Sequence, residues 1–200
     1  MQIINRRKYL TSVALVAAII GAAAVPASAS AQGFYLGADM VLLGTELDLG
    51  WTEDYSTSHL RVKAGVELSG GFAIEAHLSG AGDDTTVDPF GDQIKFDTGN
   101  IIGIYLKPKS NFRDANVYGL FGFSQWDTTY YPVAFSFIKD SETVTMLGFG
   151  VGGEFNITRN LRFNIEGMIH VGSADYPVWG TGDSVDLYAA GLAAGLSYKF

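Results

Sequence analysis

The C-terminal segment 185–200, VDLYAAGLAAGLSYKF, constrains the fold more than any other part of the chain. Every second residue from Tyr188 to Phe200 is apolar or aromatic, and the residues between them are small or become polar toward the end. In a β-strand these two rows face opposite sides of the sheet. In water a bare row of large apolar groups promotes aggregation, whereas in lipid it is the correct outer surface of a sheet that closes on itself. The segment therefore predicts the last strand of a transmembrane β-barrel.

The N-terminal residues 1–31 have the features of a secretory signal peptide that is removed from the mature protein. Arg6, Arg7 and Lys8 precede an apolar run at 10–24, which is too short to span a membrane. Small residues allow cleavage after Ala29 or Ala31, and we favour Ala31 because the strand alternation begins soon afterwards. We therefore expect a single barrel domain, 32–200, that is exported to the cell outer membrane.

Charge and cysteine content exclude several classes of protein. All 21 acidic residues follow the predicted signal peptide, against 13 − 3 = 10 basic residues, so the mature chain carries a net charge of −11. This balance argues against nucleic acid as a partner. The chain contains no cysteine, which excludes disulfides and a lipidated N-terminal cysteine. Beyond the signal peptide no apolar run is long enough for a membrane helix.

Two-residue alternation recurs along the mature chain and predicts eight antiparallel strands, joined up and down into a closed barrel. The predicted strands cover residues 34–42, 60–68, 72–79, about 98–107, about 116–125, a segment ending at 155, 161–171 and 185–200. Their connections alternate between long (44–57, 80–95, 127–142, 172–184) and shorter (69–71, 108–115, 156–160). This segregation is typical of outer-membrane barrels, whose periplasmic turns are short and whose external loops are long.

Turn parity predicts the register of the two tightest hairpins. Leu68 and Phe72 both belong to the outward row, so the turn between them needs an odd number of residues, as Ser-Gly-Gly provides. By the same reasoning Phe155 pairs with Leu161, which would place Glu154 opposite Arg162 on the inner face.

Aromatic and charged residues are also distributed as two membrane interfaces require. The predicted girdle on the short-turn side comprises Phe34, Phe72, Phe155, Tyr198 and Phe200, and that on the long-loop side comprises Trp126, Tyr130, Tyr131, Tyr176, Trp179 and Tyr188. The long loops are predicted to be acidic, with Glu46, Asp48, Glu53, Asp54, Asp83, Asp84, Asp88, Asp92, Asp127, Asp140, Glu142, Asp175 and Asp183 against Lys95 and Lys139. Lys107, Lys109, Arg113 and Arg159 are predicted on the short-turn side.

The mature chain resembles the small outer-membrane β-barrel proteins of the OmpA-type and OmpX-type, a porin-related family. The segments that carry the resemblance are FYLGADM, GVELSGGFAIEAHL, GVGGEFNITRNLRFNIEG and the ending GLSYKF. Tyr198 and Phe200 resemble the C-terminal signal that the barrel assembly machinery reads in this family. The resemblance also implies outer-membrane lipids and lipopolysaccharide as surroundings. It does not specify an activity, because such folds serve many functions.

The inner rows of the predicted barrel contain an unusual number of charges. The predicted interior charge network comprises Asp39, Arg61, Lys63, Glu67, Glu75, His77, Glu154, Arg162 and Glu166. An eight-stranded barrel is only wide enough for side chains to fill it, and buried charges must be paired. We therefore predict a lumen that is plugged by ion pairs, in a protein with a structural or surface-interaction role. A narrow ion-conducting, porin-like channel through the same groups is the alternative.

Catalytic, metal and cofactor sites receive little support from the sequence. His77 and Ser79 have the His-x-Ser spacing of an outer-membrane lipid A deacylase, but both belong to an inward row that a lipid cannot reach, so we predict no enzyme. His59, His77 and His170 share inward parity without forming a motif for a metal, and the loop acids lack calcium-loop spacing. We predict neither a metal nor a cofactor.

Two aromatic segments on the long-loop side, 126–138 and 174–179, are candidates for contact with a surface partner. If these segments continue the strands above the membrane, their edges can recruit another protein. The simpler interpretation is a strand extension that carries an ordinary aromatic girdle.

Overall fold

The computed structural model describes residues 33–48, 52–80, 85–87, 94–110, 112, 114–132, 140–175 and 184–200. They form nine strands: β1 (Gly33–Asp48), β2 (Thr52–Leu68), β3 (Phe72–Ser79), β4 (Thr85–Val87), β5 (Ile94–Pro108), β6 (Ala115–Pro132), β7 (Asp140–Asn156), β8 (Leu161–Asp175) and β9 (Ser184–Lys199). None of the described residues belongs to a helix long and apolar enough to cross a membrane. The predicted signal peptide lies outside the described residues.

All neighbouring strands pair antiparallel, and β1 pairs with both β2 and β9, so the sheet closes into a ring. The three-residue β4 pairs with the first residues of β5, and β3 pairs with the later residues of β5. Because β3 and β4 occupy the same position around the ring, the nine strands form a ring of eight. The predicted eight-stranded antiparallel barrel is therefore confirmed.

The barrel is sheared, as its register shows. One row of paired residues runs from Phe34 through Val66, Ile74, Leu106, Phe121, Phe149, Ile169 and Ala190 to Gly44. The row thus returns to β1 after a climb of 44 − 34 = 10 residues. Eight strands with this shear tilt by about 40° from the barrel axis.

The alternation of the sequence separates an apolar exterior from a polar interior. Along β7 the outward residues from Leu147 to Phe155 are apolar or glycine, whereas Thr145, Thr143 and Ser141 above them are polar. Eight steps of about 3.3 Å, tilted by about 40°, make an apolar belt about 20 Å tall, close to the roughly 25 Å typical of outer-membrane barrels. The outer surface therefore matches the hydrocarbon layer of a membrane.

The strands extend further on the long-loop side than the alternation predicts. The predicted loop 44–57 is wrong, because β1 continues to Asp48 and β2 begins at Thr52. Within the predicted loop 127–142, strand β6 continues to Pro132 and β7 begins at Asp140. In these extensions the outward residues Ser56, Ser141 and Thr143 are polar and exposed, and the inward residues Thr45, Thr57 and Thr128 are polar as well. The apolar alternation therefore stops while the backbone pairing continues.

Because the strands are longer than predicted, many of the acids predicted in the loops lie on strands. Those that lie on strands are Glu46, Asp48, Glu53, Asp54, Asp127, Asp140, Glu142 and Asp175. Those outside the described residues are Asp83, Asp84, Asp88, Asp92 and Asp183.

The predicted register is correct for one of the two tight hairpins and wrong for the other. Leu68 pairs with Phe72 as predicted, and Gly70 and Gly71 adopt positive φ angles of 83° and 80° that other residues rarely tolerate. The predicted pair Phe155–Leu161 is wrong by two residues, because Phe155 pairs with Phe163. The Thr158 hydroxyl accepts hydrogen bonds from the backbone N–H groups of Asn160 and Leu161 at 3.3 and 3.0 Å, which stabilises a longer turn. The shift is even, so each side chain keeps its face.

The position of Val151, in the middle of the belt and 70% exposed, provides a test of membrane depth. We expect Val151→Lys to destabilise the barrel by about 2–4 kcal/mol because it places an ammonium group in hydrocarbon. The matched change above the belt, Thr143→Lys, is expected to cost less than about 1 kcal/mol. Urea unfolding in lipid vesicles measures both values, and equal costs would contradict the assigned belt.

Candidate functional site

All nine residues of the predicted interior network lie inside the barrel, and none is more than 8% exposed. They occupy the inward rows of β1, β2, β3, β7 and β8, whose side chains converge because the ring is narrow. The structure therefore brings together residues that are as far apart in the chain as Asp39 and Glu166.

Arg61 is shared by two carboxylates of this network. Its Nη2 atom lies 2.6 Å from Asp39 Oδ2 and 2.7 Å from Glu166 Oε1. Asp39 also pairs with Lys63 at 2.9 Å and accepts a hydrogen bond from Asn164 Nδ2 at 2.8 Å. Two carboxylates are thus neutralised by two cations within a single cross-section of the barrel.

Lys107 forms the next connection, although it was predicted only as a residue of the short-turn side and not as part of the network. Its position on the short-turn side is correct, because Lys107 pairs with Ala73 beside the short turn 69–71, but its omission from the network is wrong. Lys107 is 1% exposed, and its Nζ atom lies 2.9 Å from Glu75 Oε2 and 2.6 Å from Glu154 Oε1. The Nζ atom also lies 4.0 Å from the centroid of the Tyr118 ring, a cation–π contact. The inward parity of Lys107 follows from the outward row Ile102, Ile104 and Leu106, so the sequence contained the signal.

Glu67 collects three cations near the short-turn end of the lumen. Its carboxylate pairs with Arg162 at 2.8 Å and with Lys109 and Lys199. Arg162 also approaches Glu154 Oε2 at 3.4 Å, although Glu154 is not its cross-strand partner. Lys109 and Lys199 were not part of the predicted network.

His77 connects the ion pairs around Arg61 with those around Lys107. Arg61 Nη1 donates to His77 Nδ1 at 3.4 Å, which leaves His77 Nε2 to donate to Glu75 Oε1 at 2.7 Å. The chain of contacts is then continuous from Asp39 through Arg61, His77 and Glu75 to Lys107, and from there through Glu154 and Arg162 to Glu67. All nine predicted residues belong to one connected set.

An aromatic layer lies above the ion pairs, toward the external end. Trp126 was predicted in the outer girdle, but it is 2% exposed and points into the lumen. Its Nε1 atom donates to Ser124 Oγ at 2.8 Å, and its ring contacts the ring of His170 with centroids 5.0 Å apart. The inward row of β6 includes every even residue from Asn116 to Thr128, which explains the orientation.

The other residues of the predicted girdle on the long-loop side have different outcomes. Tyr188 is exposed on the outer wall. The side chains of Tyr130, Tyr131, Tyr176 and Trp179 lie outside the described part.

The three histidines all lie inside the barrel, but they are not grouped as the ligands of one metal ion would be. His59 donates from Nδ1 to the Gly80 carbonyl at 2.9 Å and accepts from Thr57 at Nε2 at 2.8 Å. His77 and His170 contact the Tyr105 ring, with centroid distances of 4.5 and 6.5 Å. Across the described ranges, no three His, Asp or Glu side chains are grouped as a metal ion would require.

Two inward tyrosines pack over glycines of neighbouring strands and help to fill the lumen. Tyr35 lies over Gly65, where an added Cβ would approach its ring to 2.1 Å, and Tyr118 lies over Gly152 in the same manner at 2.4 Å. The hydroxyl groups then reach the network, since Tyr35 donates to Glu75 at 2.5 Å and Tyr118 donates to Glu166 at 3.0 Å. The glycines therefore determine how the rings reach the carboxylates.

Removal of the Lys107 ammonium tests the pairing. We expect Lys107→Met to destabilise the barrel by about 3–5 kcal/mol because Glu75 and Glu154 lose a shared buried partner. The double variant Lys107→Met/Glu75→Gln is expected to recover part of this loss, because one of the two orphaned charges is removed. Urea unfolding of the unaltered protein, both single variants and the double variant gives the four free energies of unfolding of this double-mutant cycle. Strictly additive changes would contradict the pairing.

The Tyr35–Gly65 contact is tested by adding one methyl group. Gly65→Ala is expected to cost about 1–3 kcal/mol, because the Tyr35 ring must move away from Glu75. Gly44→Ala is the matched control, since a Cβ there approaches only the Ala190 carbonyl oxygen, at 3.8 Å. The midpoint of the heat-induced gel-mobility shift compares the two variants, and equal midpoints would rule out the close ring contact.

Comparisons with known proteins agree with this architecture. The family model described as "Outer membrane protein beta-barrel domain" matches residues 13–200. Neisserial surface protein A is 15% identical with a TM-score of 0.64, and the match covers 84% of this chain and 97% of that chain. OprG of Pseudomonas aeruginosa is 14% identical, with a TM-score of 0.57 and coverage of 86% and 98%.

A third solved structure, Ail, the attachment invasion locus protein of Yersinia pestis, is 13% identical, with a TM-score of 0.56 and coverage of 86% and 99%. A comparison with curated protein sequences finds no match. At these identities the solved structures show the fold alone, whereas the family model covers nearly the whole chain. The chain therefore belongs to the outer membrane protein beta-barrel family.

Proposed function

We propose that this protein is a structural, surface-presenting barrel of the outer membrane whose lumen is plugged by its ion-pair network. The observation that carries the proposal is the continuous chain of contacts from Asp39 to Glu67, which crosses the lumen between opposite strands. The role is to hold extended strands above the outer leaflet, where an external partner reaches them.

The plug follows from the cost of separating buried charges. Each carboxylate of the network has at least one cation within 2.9 Å. An ion that passed through would have to displace these partners, and breaking one buried pair costs about 3–5 kcal/mol. An eight-stranded ring leaves no second route, since its interior holds only side chains.

The polar outer end of β6 and β7 supports the surface role. Outward residues change from Phe121 and Phe123 to Gln125 and Asp127 within β6. Thr143 donates to Asp127 Oδ1 at 3.0 Å, and Thr129 and Ser141 are hydrogen-bonded at 3.0 Å, so cross-strand contacts order this part of the ribbon. The printed name of Ail, an attachment invasion locus protein, is consistent with a surface role for such a barrel. Of the candidate segments 126–138 and 174–179, residues 133–138 and 176–179 lie outside the described residues.

An enzymatic role has less support from the geometry. His77 uses both ring nitrogens within the network, and Ser79 faces the lumen at 4% exposure. A lipid substrate on the outer wall would have no path to either side chain.

Export and assembly complete the proposal. We expect cleavage of the signal peptide after Ala31 and recognition of Tyr198 and Phe200 by the barrel assembly machinery. The C-terminal rings lie outside the barrel at the short-turn end, where Phe200 stacks on Phe34 with centroids 5.7 Å apart and is 67% exposed. Lipids and lipopolysaccharide surround the belt.

Conductance across a planar bilayer tests the plug. We expect the refolded protein to give no steady conductance, whereas Arg61→Ala, which removes the shared partner of Asp39 and Glu166, is expected to give frequent openings. Lys95→Ala, on the outer part of β5, serves as a control that leaves the lumen intact. A steady conductance of the unaltered protein that disappears in Glu75→Gln would instead establish the narrow channel.

A further inference from the structure

A groove of about 890 Å³ crosses the strands from β2 to β7. Exposed side chains, Leu42, Leu192 and Ile169, form its walls at 62%, 65% and 56% exposure. The inward residues of the same strands, Leu43, Thr57 and Met168, are at most 7% exposed. The open space therefore lies on the lipid-facing wall and not in the lumen.

Small residues form the floor of this groove. A Cβ added at Gly44 would approach only the Ala190 carbonyl oxygen, at 3.8 Å, and one added at Gly167 only Leu192 Cδ2, at 3.7 Å. Ala190 lies between these strands, paired with Gly44 on one side and Ile169 on the other. The floor is thus open to a molecule from the membrane.

The groove follows the sheared row of paired residues and descends through one leaflet. It spans five strands, so its length is about four interstrand spacings of ~4.8 Å, or about 19 Å. A row inclined by about 40° to the membrane plane covers about 12 Å of depth over this length. One leaflet contributes about 15 Å of hydrocarbon. The upper end lies at Ser56 and Gly44, just above Leu42, and the lower end lies at Val151 in the middle of the belt.

We propose that this groove binds a single acyl chain of an outer-leaflet lipid. The groove is continuous with the lipid-facing belt, apolar below the serines at its upper end, Ser56 and Ser58, and as deep as most of one leaflet. At its upper end a second hollow of about 260 Å³ lies between Glu46 and Tyr188, where the belt meets water. An exposed tyrosine at this level is typical of a membrane interface.

The shape of the groove favours a flexible chain over a second copy of the protein. The groove winds around a convex wall between protruding side chains, including Val151 at 70% exposure. The wall of a second barrel is also convex and can contact only part of such a path. An acyl chain can bend along all of it. The inference depends on the membrane location and not on the plugged lumen.

Lipid retention provides the test. The protein is purified from membranes in detergent, and native mass spectrometry counts the lipids that remain bound. We expect one retained lipid in the unaltered protein and about tenfold less retention in Ala190→Leu/Gly167→Leu, which fills the floor. Ala64→Leu/Gly119→Leu is the matched control, because it makes the same changes at outward positions outside the groove, and it should retain lipid normally.

Photo-cross-linking gives a second result that requires no variant. The unaltered protein is placed in phosphatidylcholine vesicles that contain a lipid with a diazirine on its acyl chain. We expect adducts at Leu42, Leu192 and Ile169 at several times the average frequency around the belt. Uniform adducts, absence of retained lipid, equal retention in both double variants, or a dimer mass in place of a lipid adduct would each overturn the proposal.

Discussion

The absence of water in the hydrocarbon layer is the constraint on which this structure depends. A strand in that layer has no solvent to satisfy its backbone N–H and C=O groups, so every strand needs a partner on both sides. The pairing of β1 with β9 supplies the last of these partners and removes the free edges. Closure of the ring is therefore the condition for placing Leu, Ile, Val and Phe side chains on the outside.

Closure also determines the character of the interior. A ring of eight strands encloses too little space for bulk water, so charges that face inward lose their solvation and must be neutralised by one another. Arg61 and Lys107 each bridge two carboxylates, and Glu67 receives three cations. Such pairs add little net stability compared with apolar packing, but loss of one partner is costly. The network is best understood as a device that fills the lumen and fixes the strands around it.

Sequence reasoning predicted the fold well because parity is a strict rule in strands. The outward row of β2 and the inward rows of β3 and β8 follow directly from alternation, and all nine predicted interior residues are found inside. Trp126 was wrongly assigned to the outer girdle and Lys107 was left out of the network, although the parity of β5 and β6 already pointed both side chains inward. The length of the strands above the belt was underestimated, since a strand with polar residues on both faces has no apolar period. The shift near Thr158 depends on a side-chain hydrogen bond that parity cannot detect, because an even shift leaves each face unchanged.

The most direct test of the account is the accessibility of alternating positions along β8. The chain has no cysteine, so single cysteines at 163, 164, 165 and 166 can each carry a spin label without background. In lipid vesicles, labels at 163 and 165 are predicted to be relaxed strongly by oxygen, which dissolves in lipid, and labels at 164 and 166 weakly by oxygen and by a water-soluble nickel complex. Strong relaxation of 164 and 166 by the nickel complex, or no alternation at all, would contradict a closed barrel with a lipid-facing wall and an ion-paired interior.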